Sequence, residues 1–288
     1  MFVNELYPDP ATEDDASEFI EIYNPGPRTI DLSGWRIQDE PYYGADIWEF
    51  PEGTVLAADE YLVAAKDGSS PPGDGFLEEF GFHADFEYYE TPEETTEVDD
   101  SLAVNMTQIT FTTGDNQIKL NPASDGVYIF IGSYYNTGIV VDSLVYYTAP
   151  GTENSIGRCP DGGDSVMIFT SPTPGGSNCI GPVDDLTAAL SGTSVVLLWS
   201  PAAGGAGADH YVVYRDTLPD FDPQPSDSIG GTTDTAFTDT SPGVVGDTGI
   251  QYFYVIKAVD AGGYKTEASN VVGEFDTGLV NSGKSSRQ

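Results

Sequence analysis

Few side chains in this sequence have the types and spacing that catalysis requires. His83 and His210 are the only histidines, and the chain lacks the Gly-x-Ser-x-Gly turn that presents a nucleophilic serine. Two separated histidines and two cysteines do not make a zinc-ligand cluster. Adjacent acids such as Glu78 and Glu79 lie in acidic runs, where adjacency does not indicate the carboxylate pair of a glycosidase. We therefore predict no catalytic residues and no enzyme activity.

The two cysteines point to a disulfide. Cys159 and Cys179 bracket a segment rich in proline and glycine, CPDGGDSVMIFTSPTPGGSNC, that could be one strand between two turns. A disulfide would close a loop of about 20 residues and stabilise the fold by roughly 3 kcal/mol, whereas the alternative is two unrelated buried thiols. We predict the disulfide and an extracellular location. The amino terminus has no signal-peptide features, so we expect that such a peptide has been removed.

Calcium is the one cofactor that the acidic residues could bind. Ca²⁺ takes six to eight oxygen ligands, and acids gather in predicted loops at two places. The candidate ligands are Glu13, Asp14 and Asp15 near the amino terminus, and Asp220, Asp222 and Asp227 in the second half. Neither group has the EF-hand spacing, so the alternative is ordinary loop acids in solvent.

The charge balance excludes several classes of partner. The 288 residues include 47 acidic and 10 basic ones, for a formal net charge of −37. So few Lys and Arg residues cannot form the basic face that binds nucleic acid, and the charge opposes docking on anionic membranes. No apolar run is long enough to span a bilayer. The hydrophobic content of 39% is too high for a disordered chain, so we predict a folded, anionic protein.

Residues 70–101 form an acidic insertion without lysine or arginine. Aromatic residues interrupt its carboxylates: Phe76, Phe80, Phe82, Phe86, Tyr88 and Tyr89. One interpretation is a solvated insertion between strands. The other is a loop that binds calcium or a partner through these aromatic side chains. Because so many aromatic residues are unusual in a free linker, we expect part of the insertion to pack on its own domain or on a second subunit.

Short alternating runs dominate the rest of the chain and helical periodicity is nearly absent. Predicted strands in the first half are 18–23, 61–65, 126–131 and 140–147. The 33 glycines and 20 prolines separate such runs, a pattern typical of antiparallel β-sandwiches. Turn residues cluster at 175–185, which predicts a boundary between two all-β domains.

The first domain resembles a known family. Residues 19–26 (FIEIYNPG) and 30–35 (IDLSGW) are similar to the opening of the lamin tail domain in its bacterial, secreted form. Further motifs follow in that family's order: 50–54 (FPEGT), 61–63 (YLV), 142–146 (DSLVY), 155–162 (SIGRCPDG) and 172–175 (PTPG). The resemblance covers residues 2 to about 180. It implies an immunoglobulin-like sandwich, and we expect Trp35 in its core.

The second domain resembles a fibronectin type III module of bacterial secreted proteins. Residues 195–199 (VVLLW), 211–215 (YVVYR) and 252–259 (YFYVIKAV) are similar to its strands B, C and F. Residues 235–239 and 268–272 would be strands E and G. The resemblance implies that Trp199 and Tyr252 are core residues, with Tyr252 at the tyrosine corner.

The predicted architecture is all-β, with two tandem immunoglobulin-like β-sandwiches at residues 1–180 and 181–276 and a polar carboxy-terminal tail at 277–288. Two sandwiches without catalytic residues indicate display, spacing or assembly. We expect an extracellular structural or adhesive protein that self-associates as a surface, matrix or filament subunit. Its partners would be further copies, another extracellular protein or a glycan, without nucleic acid and without membrane insertion. The alternatives are an accessory binding or spacer region of a larger secreted hydrolase, and a calcium-dependent module that binds glycan or cell wall.

Overall fold

In the computed structural model the chain divides into two compact units, residues 1–178 and 179–288. The structure describes residues 1–11, 16–39, 47–67, 75–88, 102–109, 119–132, 138–247, 249–275 and 278–281. Each unit has its own hydrophobic core.

The first unit consists of short strands and one short helix. They are β1 (Phe2–Tyr7), β2 (Phe19–Asn24), β3 (Ile30–Asp31), β4 (Arg36–Asp39), β5 (Ile47–Glu49), β6 (Val55–Leu56), β7 (Glu60–Ala65), α1 (Phe76–Phe80), β8 (Phe86–Glu87), β9 (Val104–Asn105), β10 (Thr107–Gln108), β11 (Asp125–Ile131), β12 (Ile139–Tyr146), β13 (Ser155–Arg158) and β14 (Val166–Phe169). A seven-stranded sheet has the order β14-β13-β1-β2-β7-β8-β9, and a five-stranded sheet has the order β10-β5-β4-β11-β12. Strands β3 and β6 pair with each other.

The core of this unit lies between the two sheets. Ile20 and Ile22 of β2 are fully buried in it, because alternate residues of a strand point to the same face. Ile37 of β4 is also fully buried there, and Trp35 is partly buried against it. The other face of the seven-stranded sheet, here called the outer face, carries Glu21 between the two isoleucines.

Part of the acidic insertion covers one end of the outer face. Phe76 of α1 is fully buried in a second, smaller core with Tyr7, Phe19, Val63, Ala65 and Ala84, and Phe80 packs on its border. Strands β8 and β9 extend the seven-stranded sheet by parallel pairing, first with β7 and then with each other. The insertion is therefore built into its own domain over the part that the structure describes.

A second covering piece comes from residues 159–178, which we call the cover segment. Cys159 and Cys179 form a disulfide, as predicted, which links the first residue of the segment to the residue that follows it. It contains β14, the predicted strand between two turns, which is the last strand of the seven-stranded sheet. After β14 the chain crosses the outer face and contacts β1 and β2.

The second unit is a sandwich of two sheets. Its strands are β15 (Thr187–Ser191), β16 (Ser194–Leu198), β17 (His210–Asp216), β18 (Ser228–Thr232), β19 (Ala236–Asp239), β20 (Tyr252–Val259), β21 (Val272–Phe275) and β22 (Gly278–Asn281), with a 3-10 turn at Pro225–Asp227. The sheet orders are β15-β16-β19 and β18-β17-β20-β21-β22. Strands β15, β16 and β19 take the places of A, B and E in a fibronectin type III domain, and β17, β20 and β21 those of C, F and G. The predicted fold class, two immunoglobulin-like sandwiches, is confirmed.

The predicted position of strand G was wrong. The prediction was 268–272, whereas β21 begins at Val272. Before that point, side-chain hydroxyls replace the backbone acceptors of the ladder, because Ser269 Oγ accepts the amide of Ile256 at 3.0 Å and Thr266 Oγ1 accepts that of Ala258 at 3.1 Å. Strand β22 lies within the predicted tail.

The core of the second unit holds the predicted tryptophan. Trp199 is 7% exposed and its ring meets the edge of Tyr211. Tyr254, Ile256 and Ala258 of β20 are fully buried, while Tyr252 is partly buried beneath the guanidinium of Arg215. Within the described residues, no helix has the length and apolarity needed to cross a membrane.

Candidate functional site

The most unusual group of side chains lies in the first unit, on the outer face. Glu5 of β1 and Glu21 of β2 are directly opposite each other in the antiparallel ladder, so their side chains leave the sheet side by side. Both residues are fully buried. Burying two neighbouring acids is costly unless hydrogen bonds or protons compensate their charge.

The cover segment supplies many of those hydrogen bonds. Glu5 accepts bonds from the amide and the hydroxyl of Thr173, each at 3.2 Å, and from the hydroxyl of Ser155. Glu21 accepts the amide of Gly175 at 2.7 Å and the side-chain amide of Asn4 at 2.9 Å. The two acids thereby hold the segment to the sheet.

A third carboxylate, Asp161, lies within the cover segment itself. It accepts the Asn4 side-chain amide at 2.9 Å, the Asn178 amide at 3.0 Å and the Tyr61 hydroxyl at 3.0 Å. Asn178 in turn donates its side-chain amide to the backbone oxygens of Asn4 and Arg158. Glu5, Glu21 and Asp161 with these partners form what we call the carboxylate cluster.

Burial shifts the proton equilibria of the cluster. Desolvation raises the pKa of Glu5 to about 7, although hydrogen bonds from Ser155 and Thr173 oppose the shift. Desolvation and the neighbouring charge of Glu5 raise the pKa of Glu21 well above its usual range. Two adjacent acids of this kind share protons rather than ionising independently.

The geometry favours a structural role over a catalytic one. Acid–base catalysis needs a carboxyl within reach of a substrate proton, and the Glu5 and Glu21 carboxyl groups are sealed beneath Thr173 and Gly175. The third carboxylate of the cluster, Asp161, accepts the hydroxyl of Tyr61 on β7. We conclude that this cluster fastens the last segment of the unit to its first strands.

Arg158 of β13 also joins distant parts of the first unit. Arg158 donates to the backbone oxygens of Val3 at 2.9 Å and Ser143 at 2.9 Å, and its guanidinium reaches Asp142 at 3.1 Å. It also donates to the oxygen of Gly163 in the cover segment at 2.8 Å. A buried arginine thus joins β1, β12 and β13 through one planar group.

The predicted partner-binding aromatic residues separate into two groups. Phe76, Phe86 and Tyr88 are buried within the first unit, so they pack on their own domain. Phe82 is 40% exposed and Phe80 is partly buried. Tyr89 lies outside the described residues. A role of Phe80 or Phe82 toward a partner stays a prediction.

The predicted calcium ligands form turn hydrogen bonds, are exposed, or lie outside the described residues. Glu13, Asp14 and Asp15 lie outside the described residues. Asp227 accepts the Gln224 amide at 2.8 Å, and Asp222 accepts its side-chain amide at 3.3 Å, as in an ordinary turn. Asp220 is exposed. Across the described ranges, no three His, Cys, Asp or Glu side chains are arranged to hold a metal ion. Calcium binding stays a prediction.

The carboxylate cluster was not predicted from the sequence. Two signals were present: Glu21 lies between core isoleucines, and the motifs 155–162 and 172–175 hold its partners. The motifs identified the fold, but one sequence could not show that they meet on β1 and β2.

A family profile and several solved structures are similar to parts of this chain. The sequence profile described as "Lamin Tail Domain" matches residues 1–148. The chain is similar to a Fn3-like protein from Clostridium thermocellum at 32% identity and a TM-score of 0.26, over 31% of this chain and 84% of that one. No curated protein matches the chain significantly.

Two larger enzymes share lower similarity. Pectate lyase PelI from Erwinia chrysanthemi is 20% identical at a TM-score of 0.25, over 32% of this chain and 28% of that one. A β-1,2-glucanase from Parabacteroides distasonis is 13% identical at a TM-score of 0.27, over 90% of this chain and 30% of that one. The chain thus spans less than a third of either enzyme. Because the family profile matches more than half of its residues, the chain belongs to the lamin tail domain family.

Proposed function

We propose that this chain is a non-catalytic structural protein of an extracellular assembly and that it associates with further copies of itself. The family supports the first part, since immunoglobulin-like domains of this kind are generally non-catalytic. The disulfide supports the location, because such bonds persist in non-reducing surroundings.

The observation that carries self-association is the distribution of exposed apolar side chains in the first unit. Ile139, Val140 and Val141 on β12 are 70%, 41% and 38% exposed. Val166 and Ile168 on β14 are each 42% exposed. Both strands end their sheets, so their apolar side chains gather at sheet edges. Exposed apolar surface of this kind marks interaction sites in soluble proteins.

The two strands also lie on the same side of the first unit. Arg158 of β13 stands opposite Val166 in the ladder, and its guanidinium bonds Asp142 and Ser143 of β12. Neither 126–141 nor 165–183 contains a charged residue, in a chain of net charge −37. Two such chains repel over most of their surface. On this side the one acid of β12, Asp142, is paired with Arg158, so two copies approach here at a lower electrostatic cost.

Sedimentation equilibrium of the purified chain tests the proposal. From about 1 μM to about 1 mM, the average mass should rise above that of the monomer at physiological salt. Parallel runs with calcium and with chelator separate intrinsic association from a calcium requirement. A monomer under every condition would contradict the proposal and favour the alternative, an accessory region of a larger secreted hydrolase.

A further inference from the structure

We propose that β14 is the pairing edge: two copies join their β14 strands antiparallel, so that two seven-stranded sheets become one continuous sheet. This inference rests on the proposed self-association and specifies the surface that performs it.

The backbone of β14 is oriented for such pairing. Residues 155, 157 and 159 of the neighbouring strand stand opposite 169, 167 and 165, and the Cys159 amide bonds the Ser165 oxygen at 3.0 Å. Hydrogen-bonded pairs alternate along an antiparallel ladder, so the amides and oxygens of Val166 and Ile168 point away from β13. The sheet order places no described strand on that side.

β14 contains no charged residue, proline or bulge, although it is a short strand of four residues. Natural edges carry charges, prolines or bulges that prevent pairing with another chain. The residues of β14 are Val166, Met167, Ile168 and Phe169, and their ladder with β13 is regular. All four are apolar, and Val166 and Ile168 are each 42% exposed.

The other apolar edge is less suited to pairing. β12 contains a bulge opposite Ile129 and Phe130, which interrupts a regular ladder. The backbone oxygen of Ser143 is already bonded by Arg158. We therefore assign pairing to β14, and β12 contributes apolar surface beside it.

A second copy fits this edge because β14 can pair with its own equivalent without bringing like charges together. An isologous pair centred on Met167 would place Val166 opposite Ile168 of the other copy, with both outward backbone groups bonded. The nearest acid, Asp164, would then lie six residues along the ladder from its equivalent, roughly 20 Å away. That separation exceeds the Debye length of about 8 Å at physiological salt, so the two charges are screened.

A cysteine cross-link tests this register. In the proposed pair, Met167 faces its own equivalent at a non-hydrogen-bonded position, with Cα atoms about 4.5 Å apart, a distance that a disulfide spans. Mild oxidation of Met167→Cys should give a covalent dimer on a non-reducing gel. Val55→Cys, on β6 and 60% exposed, is the matched control and should give little dimer. The native cysteines are 2% and 5% exposed, which limits exchange with them.

The equilibrium test uses Ile168→Lys, with Val55→Lys as control and thermal unfolding as a check that both variants fold. Ile168→Lys should weaken association at least tenfold, and Val55→Lys should leave it unchanged. If the wild type associates but Ile168→Lys matches it and Met167→Cys cross-links no better than Val55→Cys, β14 pairing is refuted and self-association stands. A wild type that stays monomeric, without the Met167→Cys dimer, refutes both.

Discussion

At the scale of single residues, the first unit depends on close approaches that leave no room for substitution. A Cβ atom at Gly157 would lie 2.6 Å from the side-chain nitrogen of Asn178 and 2.6 Å from the backbone oxygen of Asn4. Those two atoms bond each other at 3.1 Å, so neither can retreat without breaking a buried contact.

Gly157→Ala should therefore destabilise the first unit by about 2–4 kcal/mol, through overpacking and a broken buried hydrogen bond. Urea unfolding measures the change. Gly176→Ala in the same segment is the control, because the nearest atom to its Cβ lies at 3.6 Å. Equal losses in the two variants would contradict this account.

The paired acids predict a dependence on pH. Folding raises the pKa of Glu5 from its ordinary value of 4.5 to about 7, and that of Glu21 also rises. A group whose pKa is raised on folding stabilises most below its unfolded pKa, and this stabilisation is lost as pH rises through the folded pKa. The first unit should therefore lose stability between about pH 5 and about pH 8.

Glu21→Gln removes one ionisable member of the pair. Relative to this variant, the wild type should lose stability between those two pH values, because burial and the neighbouring Glu5 raise the pKa of Glu21 on folding. Thermal or urea unfolding at both pH values gives the difference. Glu52→Gln, at an exposed site, should show no such trend. A difference that stays constant with pH would show that folding does not raise the pKa of Glu21.

At the scale of elements, Arg158 joins three strands and the cover segment. Lysine has one nitrogen where arginine has a fork of three, so Arg158→Lys would leave several buried oxygens without donors. We expect a loss of about 2–4 kcal/mol in chemical unfolding. Arg36→Lys is the comparison, because Arg36 pairs with Glu49 at 2.7 Å near the surface and should lose less than about 1 kcal/mol. Similar losses of stability in Arg158→Lys and Arg36→Lys would contradict a special role for the buried guanidinium group of Arg158.

The elements also show how far one sequence predicts this fold. Strands with strict alternation, such as 252–259, were predicted at their observed bounds, because burial on one face determines the pattern. Strand G was misplaced because Thr266 and Ser269 use side-chain hydroxyls where a ladder was expected. The carboxylate cluster was missed for a different reason: its members come from distant parts of the chain, and local patterns contain no information about which distant segments meet.

At the scale of the whole molecule, the net charge of −37 acts on any association. Added salt screens repulsion between two anionic chains, so the association constant should rise between about 20 mM and about 200 mM sodium chloride. Sedimentation velocity at several concentrations measures it. Calcium chloride at matched ionic strength is the control: a larger rise with calcium would support a specific site for that ion. Association that weakens as salt is added would contradict an apolar, uncharged interface.

The position of β1 between β2 and β13 has a consequence for how the first unit folds. The bonds that complete its sheet join residues far apart in sequence, such as Ser155 with Glu5 and Asn178 with Asn4, which are 150 and 174 positions apart. Contacts of such long range must close large loops before any stability is gained, and this slows folding. Until residues 155–178 have been made, β1 is an open sheet edge, and Glu5 on β1 and Glu21 on β2 lack the partners that this segment supplies. A nascent chain therefore cannot complete this sheet strand by strand, because β1 has no partner on one side until β13 has been made.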